Sequence, residues 1–264
     1  MKLSRLVLAV ALAPCAISAA ENPSLDQALK LSETVITANR EVQSRAASSV
    51  ATTVFSRADI ERLQPNSVLD LLTRVPGVQI TQSGGRGSLT SLFIRGTKTA
   101  QNVVLVDGQR IADVSSGSHF LENLSINQIE RVEVLRGSRA TLYGADAIGG
   151  VVQIFTRRAA AGERQVSLSL GYGSRQTWER AANLALADDS TRLSLNASSS
   201  DTQGINRSTH SSTNDGDHDA FRNNALSLNL AHDFNDALQA GVSLLEQSGE
   251  TEFDNDFQRF ITEG

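Results

Sequence analysis

The fold is decided by five glycine-punctuated phrases between residues 94 and 154: Ile94-Arg95-Gly96, Val104-Leu105-Val106-Asp107-Gly108, Ile129 to Gly137, Leu142-Tyr143-Gly144, and Ala147 to Ile154. Each phrase is a short apolar run that contains glycine or ends at it, which is the pattern of short strands joined by tight turns. The Asp107-Gly108 pair is a strong signal for a two-residue hairpin. We therefore expect a region built from several short strands.

Two short helices are predicted ahead of most of these strands. Ser56 and Ser67 each stand three residues before an aspartate, which is the spacing of a capping box. The second helix is predicted to end at Pro76-Gly77. Its expected core face consists of Val68, Leu71, Leu72 and Val75. Helices mixed with short strands make residues 45–156 an α+β domain.

The strand predicted from Ile129 to Leu135 carries charges of both signs on the face that we expect to be exposed. These residues are Glu130, Arg131, Glu133 and Arg136. Such a face suits a domain lodged inside a polar-lined lumen. An ordinary solvated strand face is the alternative.

After Gly162 the sequence changes to strict alternation, with Val166, Leu168, Leu170 and Tyr172 facing one way. Five such segments of roughly ten residues each fit membrane-spanning β-hairpins, and a secreted antiparallel sandwich is the alternative. Short turns at 187–191 and 233–237 contrast with a long polar loop at 201–221. Because barrels place long loops outside, we assign that loop and the tail after Glu246 to the exterior.

The N-terminus has the features of an export signal. Lys2 and Arg5 precede an apolar run, and small residues lead to a predicted cleavage after Ala20. Removing residues 1–20 leaves 22 basic and 29 acidic residues, a formal net charge of −7, which argues against nucleic acid as a partner. The single cysteine, Cys15, lies within this signal, so no disulfide is expected in the mature chain.

Residues 21–44 mix small, polar and charged types without periodicity and are interpreted as a flexible leader. Within the leader, residues 33–40 form a short β-prone string. An unpaired string of this kind can add itself to the sheet edge of another protein. A tethered edge strand of the same domain is the alternative.

The motifs together resemble the plug domain of TonB-dependent outer-membrane receptors. Leu71 to Ile80 is similar to the helix and strand of that family, Phe93 to Gly96 to its central arginine strand, and Arg136 to Gly150 to its closing segment. The resemblance implies that the leader contains a TonB box, which TonB engages to drive uptake. The box corresponds to Ser32, Glu33, Thr34, Val35, Ile36, Thr37, Ala38 and Asn39.

The sequence of residues 80–97 is similar to that of receptors in the cobalamin branch of the family. That resemblance implies cobalamin, or a similar large chelate, as the substrate, with plug loops in contact with it. The matching positions are Leu89, Ser91, Lys98, Ser115 and Ser116, where Lys98 departs from the amide-bearing residue of the family. Solvated loop residues are the alternative.

Two acidic segments, at 214–219 and 253–256, could surround calcium, which takes six to eight oxygen ligands. A solvated acidic loop is the alternative. The spacing excludes an EF-hand, because Ala220 and Leu226 stand where glycine and glutamate are required. The cobalamin branch implies calcium bound across two outer loops. The candidate ligands are Asp215, Asp217, Asp219, Asp254 and Asn206.

The predicted organisation is a signal peptide at 1–20, a leader at 21–44, a plug at 45–156, and the first strands of an outer-membrane barrel at 163–264. The fold class is thus an α+β plug domain followed by antiparallel transmembrane β-strands of an incomplete β-barrel. Barrels of this family have about 22 strands, so we expect the chain to be a truncated receptor. We also expect it to be exported to the bacterial outer membrane, where its strands contact lipid.

No enzyme chemistry is expected, because the sequence lacks a serine elbow, a paired-carboxylate spacing and a catalytic cysteine. A redox or nucleotide cofactor is not expected either, since the glycine-rich Ser83 to Gly87 lacks the lysine-hydroxyl ending of a phosphate loop. Two alternatives to cobalamin transport are kept. One is an iron–siderophore receptor, and the other is a secreted plug-like binding module that transports nothing.

Overall fold

The computed structural model describes residues 51–112, 117–137, 143–144, 146–206, 218–235, 238–254 and 259–263, together with two short strands at 35–36 and 43–44. For both short strands, and for residues 253–254 and 259–263, it describes the backbone alone. Residues 34–264 form one unit. The strands of its first half are β1 Val35–Ile36, β2 Gln43–Ser44, β3 Ala51–Phe55, β4 Val78–Gln82, β5 Thr90–Ile94, β6 Asn102–Val106, β7 Gln109–Arg110, β8 Ile129–Arg136 and β9 Gly150–Thr156.

Helix α1 spans Arg57–Leu63 and helix α2 spans Val68–Leu72. The predicted capping box of α1 is present, because Ser56 Oγ accepts from the Asp59 amide and Asp59 Oδ2 accepts from the Ser56 amide. At α2, Ser67 caps Asp70 in the same way, but the Asp70 carboxylate accepts from the Asn66 amide. Among the described residues, no helix is long and apolar enough to cross a membrane.

A five-stranded mixed sheet in the order β3-β8-β9-β6-β7 is the centre of this first half. Strands β6 and β9 are parallel, and the other pairs are antiparallel. Strands β4 and β5 form a separate hairpin beside it. The predicted face of α2 is buried in the main core, where Leu71 and Leu72 pack with Val104, Val134 and Ile154. This packing confirms the predicted core face.

The prediction of one exposed charged face on β8 was wrong. Glu133 is 0% exposed, and its carboxylate lies 2.8 Å from Arg131 Nε. Alternation puts Arg131 and Glu133 on the same face of β8 as Leu135, which belongs to a second apolar cluster. Glu130 lies at an irregularity in the strand register at the start of β8, and Arg136 ends the opposite face. Both faces of β8 are covered, so a carboxylate on either face needs a partner, and Arg131 is that partner.

Six long antiparallel strands follow in sequence order and form one sheet. They are β10 Arg164–Gly173, β11 Thr177–Ala187, β12 Thr191–Thr202, β13 Phe221–Asn235, β14 Leu238–Asp254 and β15 Arg259–Glu263. Five of them were predicted. The interpretation of the segment after Glu246 as a tail was wrong, because β14 continues through it to Asp254 and pairs with β15.

The two faces of this sheet differ as the alternation predicts. The outer face of β10 exposes Val166, Leu168, Leu170 and Tyr172, each between 68% and 80%. The inner face buries polar side chains against the first half of the chain. Buried polar residues of this face include Ser194, Asn196, Asn223, Ser227, Asn229 and Thr251. An apolar outside and a polar inside are typical of a transmembrane barrel wall and not of a water-soluble sandwich.

The apolar belt crosses the sheet diagonally, which also indicates a barrel wall. On β10 the belt is centred near Ser169, whereas on β14 it is centred near Val242. The residue of β10 that lies level with Val242 is Arg164, five residues before Ser169. The pairing that connects them across the sheet runs through Leu230, Leu193 and Leu186. The belt therefore descends about five residues, or roughly 17 Å, over four strand spacings of about 4.8 Å. That slope is about 40°, within the strand tilt of outer-membrane barrels.

Candidate functional site

The loop between β4 and β5 meets the inner face of the sheet near its outer end, which we define as the end with the 174–176 turn and the 203–220 connection. Arg86 Nη1 lies 3.1 Å from Glu179 Oε1 on β11, and its guanidinium lies 5.4 Å from the centre of the Phe221 ring on β13. Within the loop, Ser88 donates to the Gly85 carbonyl through both its amide and its hydroxyl. Hydrogen bonds within the loop thus set its conformation, and contacts of Arg86 with the sheet, the barrel wall, hold it in place.

Gly87 is the closest approach between this loop and the sheet. A Cβ atom at this position would lie 2.2 Å from the Phe221 ring and 2.3 Å from Thr251 Oγ1, and the residue has a φ of +82°. Gly96 has nearly the same φ, +80°, with no atom near the corresponding Cβ position. The two glycines therefore share one backbone conformation and differ in the space available for a side chain.

We expect Gly87→Ala to destabilise the protein by about 1–3 kcal/mol more than Gly96→Ala, because only the first substitution overpacks the contact with the wall. Both substitutions strain the backbone in the same way, so Gly96→Ala is the matched control. Chemical denaturation and the rate of proteolysis near residue 87 measure the difference. Equal stabilities of the two variants would show that the loop does not rest on Phe221.

Hydrogen bonds between polar groups connect the first half of the chain to the wall. Ser198 Oγ lies 2.8 Å from Ser125 Oγ, and Asn223 donates to the carbonyl of Asn123 over 2.7 Å. Asn229 donates to Thr156 Oγ1 over 3.1 Å. Each such bond contributes about 0.5–1.5 kcal/mol net, because water competes for both partners. A domain held in this way can separate from the wall at modest cost.

Two adjoining cavities open beside the loop. One of about 360 Å³ lies between the loop, the segment 122–127 and strands β11 to β13. The other, of about 440 Å³, extends toward the turn after β10. Four residues line both cavities, namely Asn66, Gly85, Arg86 and Glu179. The loop tip and the Arg86–Glu179 pair thus form the partition of one larger cleft at the outer end.

The cleft is rich in amides and hydroxyls and carries more acid than base. The first cavity is lined by three carboxylates, Asp70, Glu122 and Glu179, and by one cation, Arg86. Burial raises the pKa of Glu122, although a hydrogen bond from Thr90 opposes the shift. Glu122 Oε2 is buried and has no hydrogen-bond partner among the residues that the structure describes.

Three of the five predicted substrate contacts lie in the described part of the chain. Leu89 is exposed just before β5, and Ser91 follows on the same face of that strand. Lys98 is exposed, and the Asn102 side chain donates to the carbonyls of both Lys98 and Leu92 over 3.0 Å. The chain after β5 therefore folds back beside the strand. Ser115 and Ser116 lie outside the described residues, and a substrate role for the five stays a prediction.

Two of the predicted calcium ligands, Asp219 and Asn206, belong to adjacent segments. The Asp219 amide donates to the Ile205 carbonyl over 3.3 Å, and Asp219 is mostly buried. The backbone of Asp254 pairs with Arg259 in the β14–β15 ladder. Asp215 and Asp217 lie outside the described residues. Within the described part, no group of three or more acidic, histidine or cysteine side chains is arranged to hold a metal, so these residues alone do not make the site.

The predicted TonB box is described at two residues only. Val35 pairs with Ser44, and Ile36 pairs with Gln43, in an antiparallel two-stranded sheet. The rest of the box, residues 32–34 and 37–39, lies outside the described residues. The described pair has the extended backbone that strand addition requires.

Sequence reasoning missed Arg86, Glu122 and Glu179 as residues of the cleft. Arg86 and Glu179 are 93 positions apart, and no local pattern reports that pairing. A signal did exist for Glu179, because it is a charged residue at an inward position of an alternating strand. Glu122 gave no such signal, since its environment is created by the folded segment around it.

Comparison with known proteins agrees with this architecture. The TonB-dependent Receptor Plug Domain matches residues 44–151. The chain is 34% identical over 225 residues to the Vitamin B12 transporter BtuB of Vibrio cholerae, a match that covers 84% of this chain and 36% of that protein. The chain therefore spans little more than a third of this relative.

Solved structures share the fold. The pyoverdine outer-membrane receptor FpvA of Pseudomonas aeruginosa superposes with a TM-score of 0.69 at 18% identity, over 83% of this chain and 30% of that one. The siderophore receptor PirA of Acinetobacter baumannii gives 0.59 at 25% identity, over 76% and 31%. Through its plug domain and the barrel strands that follow it, the chain belongs to the TonB-dependent outer-membrane receptors.

Proposed function

We propose that the protein takes part in TonB-dependent uptake of cobalamin across the bacterial outer membrane, to which the signal at residues 1–20 would direct it. The observation that carries the proposal is the cleft at the outer end, whose lining is polar, rich in amides and hydroxyls, and acidic in balance. The relation to a vitamin B12 transporter points to the same ligand.

The chemistry of the cleft favours a neutral ligand that bears amide groups. Three carboxylates against one guanidinium repel an anionic ferric chelate, since like charges in a cleft of reduced dielectric cost more than in water. Glu122 in particular is a carboxylate in the lining of the first cavity. Cobalamin carries peripheral amides that could donate to it. The siderophore receptors among the solved structures share the fold but provide no argument for the ligand.

Energy would reach the plug through the leader. A partner strand that adds to residues 32–39 pulls along the chain, through β2, toward β3, the first strand of the central sheet in the chain. Among the strands that the structure describes, β3 is an edge strand that pairs with β8 alone. An edge strand can be separated from one neighbour without breaking the rest of the sheet, so the load is first applied to a strand at the edge of the central sheet.

Equilibrium binding of cyanocobalamin and of an anionic ferric siderophore to outer membranes containing the protein tests the proposal. We expect saturable cyanocobalamin binding at nanomolar to micromolar concentration, about −8 to −12 kcal/mol, and no saturable siderophore binding. Membranes from the same cells without the protein are the control. Siderophore binding without cobalamin binding would identify an iron receptor, and binding of neither would contradict transport of either class.

Calcium is part of the proposal for the outer loops. An ion held by oxygen ligands would offset the mutual repulsion of the aspartates and order the loops before the substrate arrives. Asp219 and Asn206 are the described residues that could contribute oxygens. The same binding measurement with calcium and with a chelator tests this role, and affinity that is equal in both conditions would contradict it.

A further inference from the structure

A third cavity lies between the plug and the wall, farther from the outer end than the cleft. It has a volume of about 320 Å³ and is bounded by α1, by the 157–163 segment that joins the plug to the wall, and by strands β10 to β12. We call it the inner cavity. Its wall side carries three amides and two hydroxyls, which belong to Gln165, Asn183, Asn196, Ser167 and Ser194. The inner cavity thus repeats the amide and hydroxyl lining of the cleft.

The inner cavity and the first cavity of the cleft share one row of side chains on β12. Every inward position of this strand from residue 194 to residue 200 is a serine or an asparagine. Ser198 and Ser200 line the first cavity, whereas Ser194 and Asn196 line the inner cavity. Successive inward positions of a strand are about 7 Å apart. A polar track therefore continues along β12 from one cavity to the other.

The plug segment 125–129 is the partition between the two cavities. Ile126 lines the first cavity, and Glu130, which follows the segment, lines the inner cavity. Ser125 Oγ lies 2.8 Å from Ser198 Oγ, at the point where the track on β12 passes from one cavity to the other. The partition therefore rests on the wall through a hydrogen bond between two hydroxyl groups, for which water can substitute.

Arg57 holds the partition from the plug side. Its Nη1 donates to the carbonyl of Ile126 over 3.3 Å and to that of Ile129 over 3.0 Å, and the residue lines the inner cavity. Arg57 is also the first residue of α1, two positions after β3 ends at Phe55. Movement of β3 under load would therefore displace the donor that holds the partition closed.

The charges of the inner cavity are balanced, unlike those of the first cavity. Three guanidinium groups face three carboxylates, and these belong to Arg57, Arg157, Arg158, Glu61, Glu130 and Glu163. A balanced lining adds no net attraction for an ion of either sign. A neutral ligand can still exchange hydrogen bonds with the amides, hydroxyls and charged groups. Such a lining suits a site that a neutral ligand occupies briefly and then leaves.

We propose that the inner cavity is a second binding site for the neutral, amide-bearing ligand of the cleft, which reaches it along β12 after the segment 125–129 has moved off the wall. This inference rests on the proposed function. Load on β3 moves Arg57 and releases the two carbonyls that it holds, so the partition opens and the two cavities become one passage. The row of polar groups on β12 then binds the ligand at each step, so the ligand crosses no apolar barrier on this strand.

Chemical modification of a cysteine in the inner cavity tests this role. Gln165→Cys places a thiol in the lining, whereas Val166→Cys, one residue later, places it on the outer face, where Val166 is 69% exposed. Cells that produce each variant are treated with a methanethiosulfonate reagent that carries a bulky aromatic group, until mass spectrometry shows complete modification. We expect uptake of labelled cyanocobalamin to fall to background in modified Gln165→Cys and to return when a reductant removes the group. Binding to de-energised cells should not change, because the ligand binds first in the cleft.

Modified Val166→Cys is the matched control and should take up the ligand at the rate of its unmodified form. Uptake at the unmodified rate in fully modified Gln165→Cys would overturn the second site and leave binding in the cleft intact. Equal loss of uptake in both modified variants would also overturn it, because damage to the wall would then explain the block. Loss of binding together with uptake would contradict a site that is reached after the cleft. Absence of cyanocobalamin binding in the wild type would instead overturn the proposed function, so the two failures are distinguishable.

Discussion

Ile36→Pro is expected to reduce energised uptake to background, whereas Ile36→Ala should retain most of it. Proline removes the backbone N–H and fixes φ, and so takes away a hydrogen bond that an added strand would use. Alanine keeps the extended backbone and both hydrogen-bonding groups. Uptake of labelled cyanocobalamin by energised cells measures the effect. Binding to de-energised cells should be unchanged in both variants, because the leader is not part of the cleft.

Gln43→Pro is the control that separates two interpretations of this result. Ile36 pairs with Gln43 within the chain, so a proline at either residue disturbs the β1–β2 pairing. Only the proline at Ile36 disturbs the segment offered to TonB. Uptake should therefore survive in Gln43→Pro. If both prolines abolished uptake equally, the internal pairing would be the important feature, and the strand-addition hypothesis would lose its support.

The sequence predicted those features that local patterns determine. Ser56 with Asp59 marked the start of α1, and strict alternation marked the outer and inner faces of β10. These features follow from hydrogen-bond geometry within a few residues and from the two-residue period of a strand. The fold class was confirmed for the same reason, because a plug followed by one-sided amphipathic strands is determined by repetition of such patterns.

Features that depend on distant residues could not be predicted in this way. Glu133 was placed on an exposed face because its neighbours in sequence are charged, yet its burial depends on a cluster assembled from β3, β6 and β9. The Arg86–Glu179 pair and the environment of Glu122 likewise arise only when the loop meets the wall. Sequence reasoning therefore proposed site residues from the resemblance to the family and missed the residues that only packing brings together.

A disulfide between residues 125 and 198 is expected to stop uptake. Ser125→Cys with Ser198→Cys places two thiols where hydroxyl oxygens now lie 2.8 Å apart. A sulfur–sulfur bond of about 2.05 Å therefore needs little movement of the backbone. The single native cysteine lies at position 15, within the predicted signal, so the pair would be the intended cross-link. Both serines line the first cavity, so the bond would join plug and wall beside the bound substrate.

The expected block follows from the nature of that interface. A few hydrogen bonds of about 1 kcal/mol each can exchange with water as the plug leaves the wall, whereas a covalent bond cannot. Uptake should fall to background in oxidised cells and return after reduction. Ser167→Cys with Asn183→Cys is the matched control, because Asn183 donates to Ser167 over 3.1 Å within the sheet itself. A disulfide there leaves the plug free, so uptake should continue.

Uptake at the wild-type rate with the 125–198 disulfide fully formed would mean that this part of the plug stays on the wall during transport. The passage would then have to open elsewhere. The edge strand β3 is the alternative, since it is paired with β8 alone and lies nearest to the leader along the central sheet. A cross-link can distinguish the two routes because the Ser125–Ser198 contact breaks only if the segment 121–128 moves away from β12, whereas separation of β3 from β8 does not require that movement.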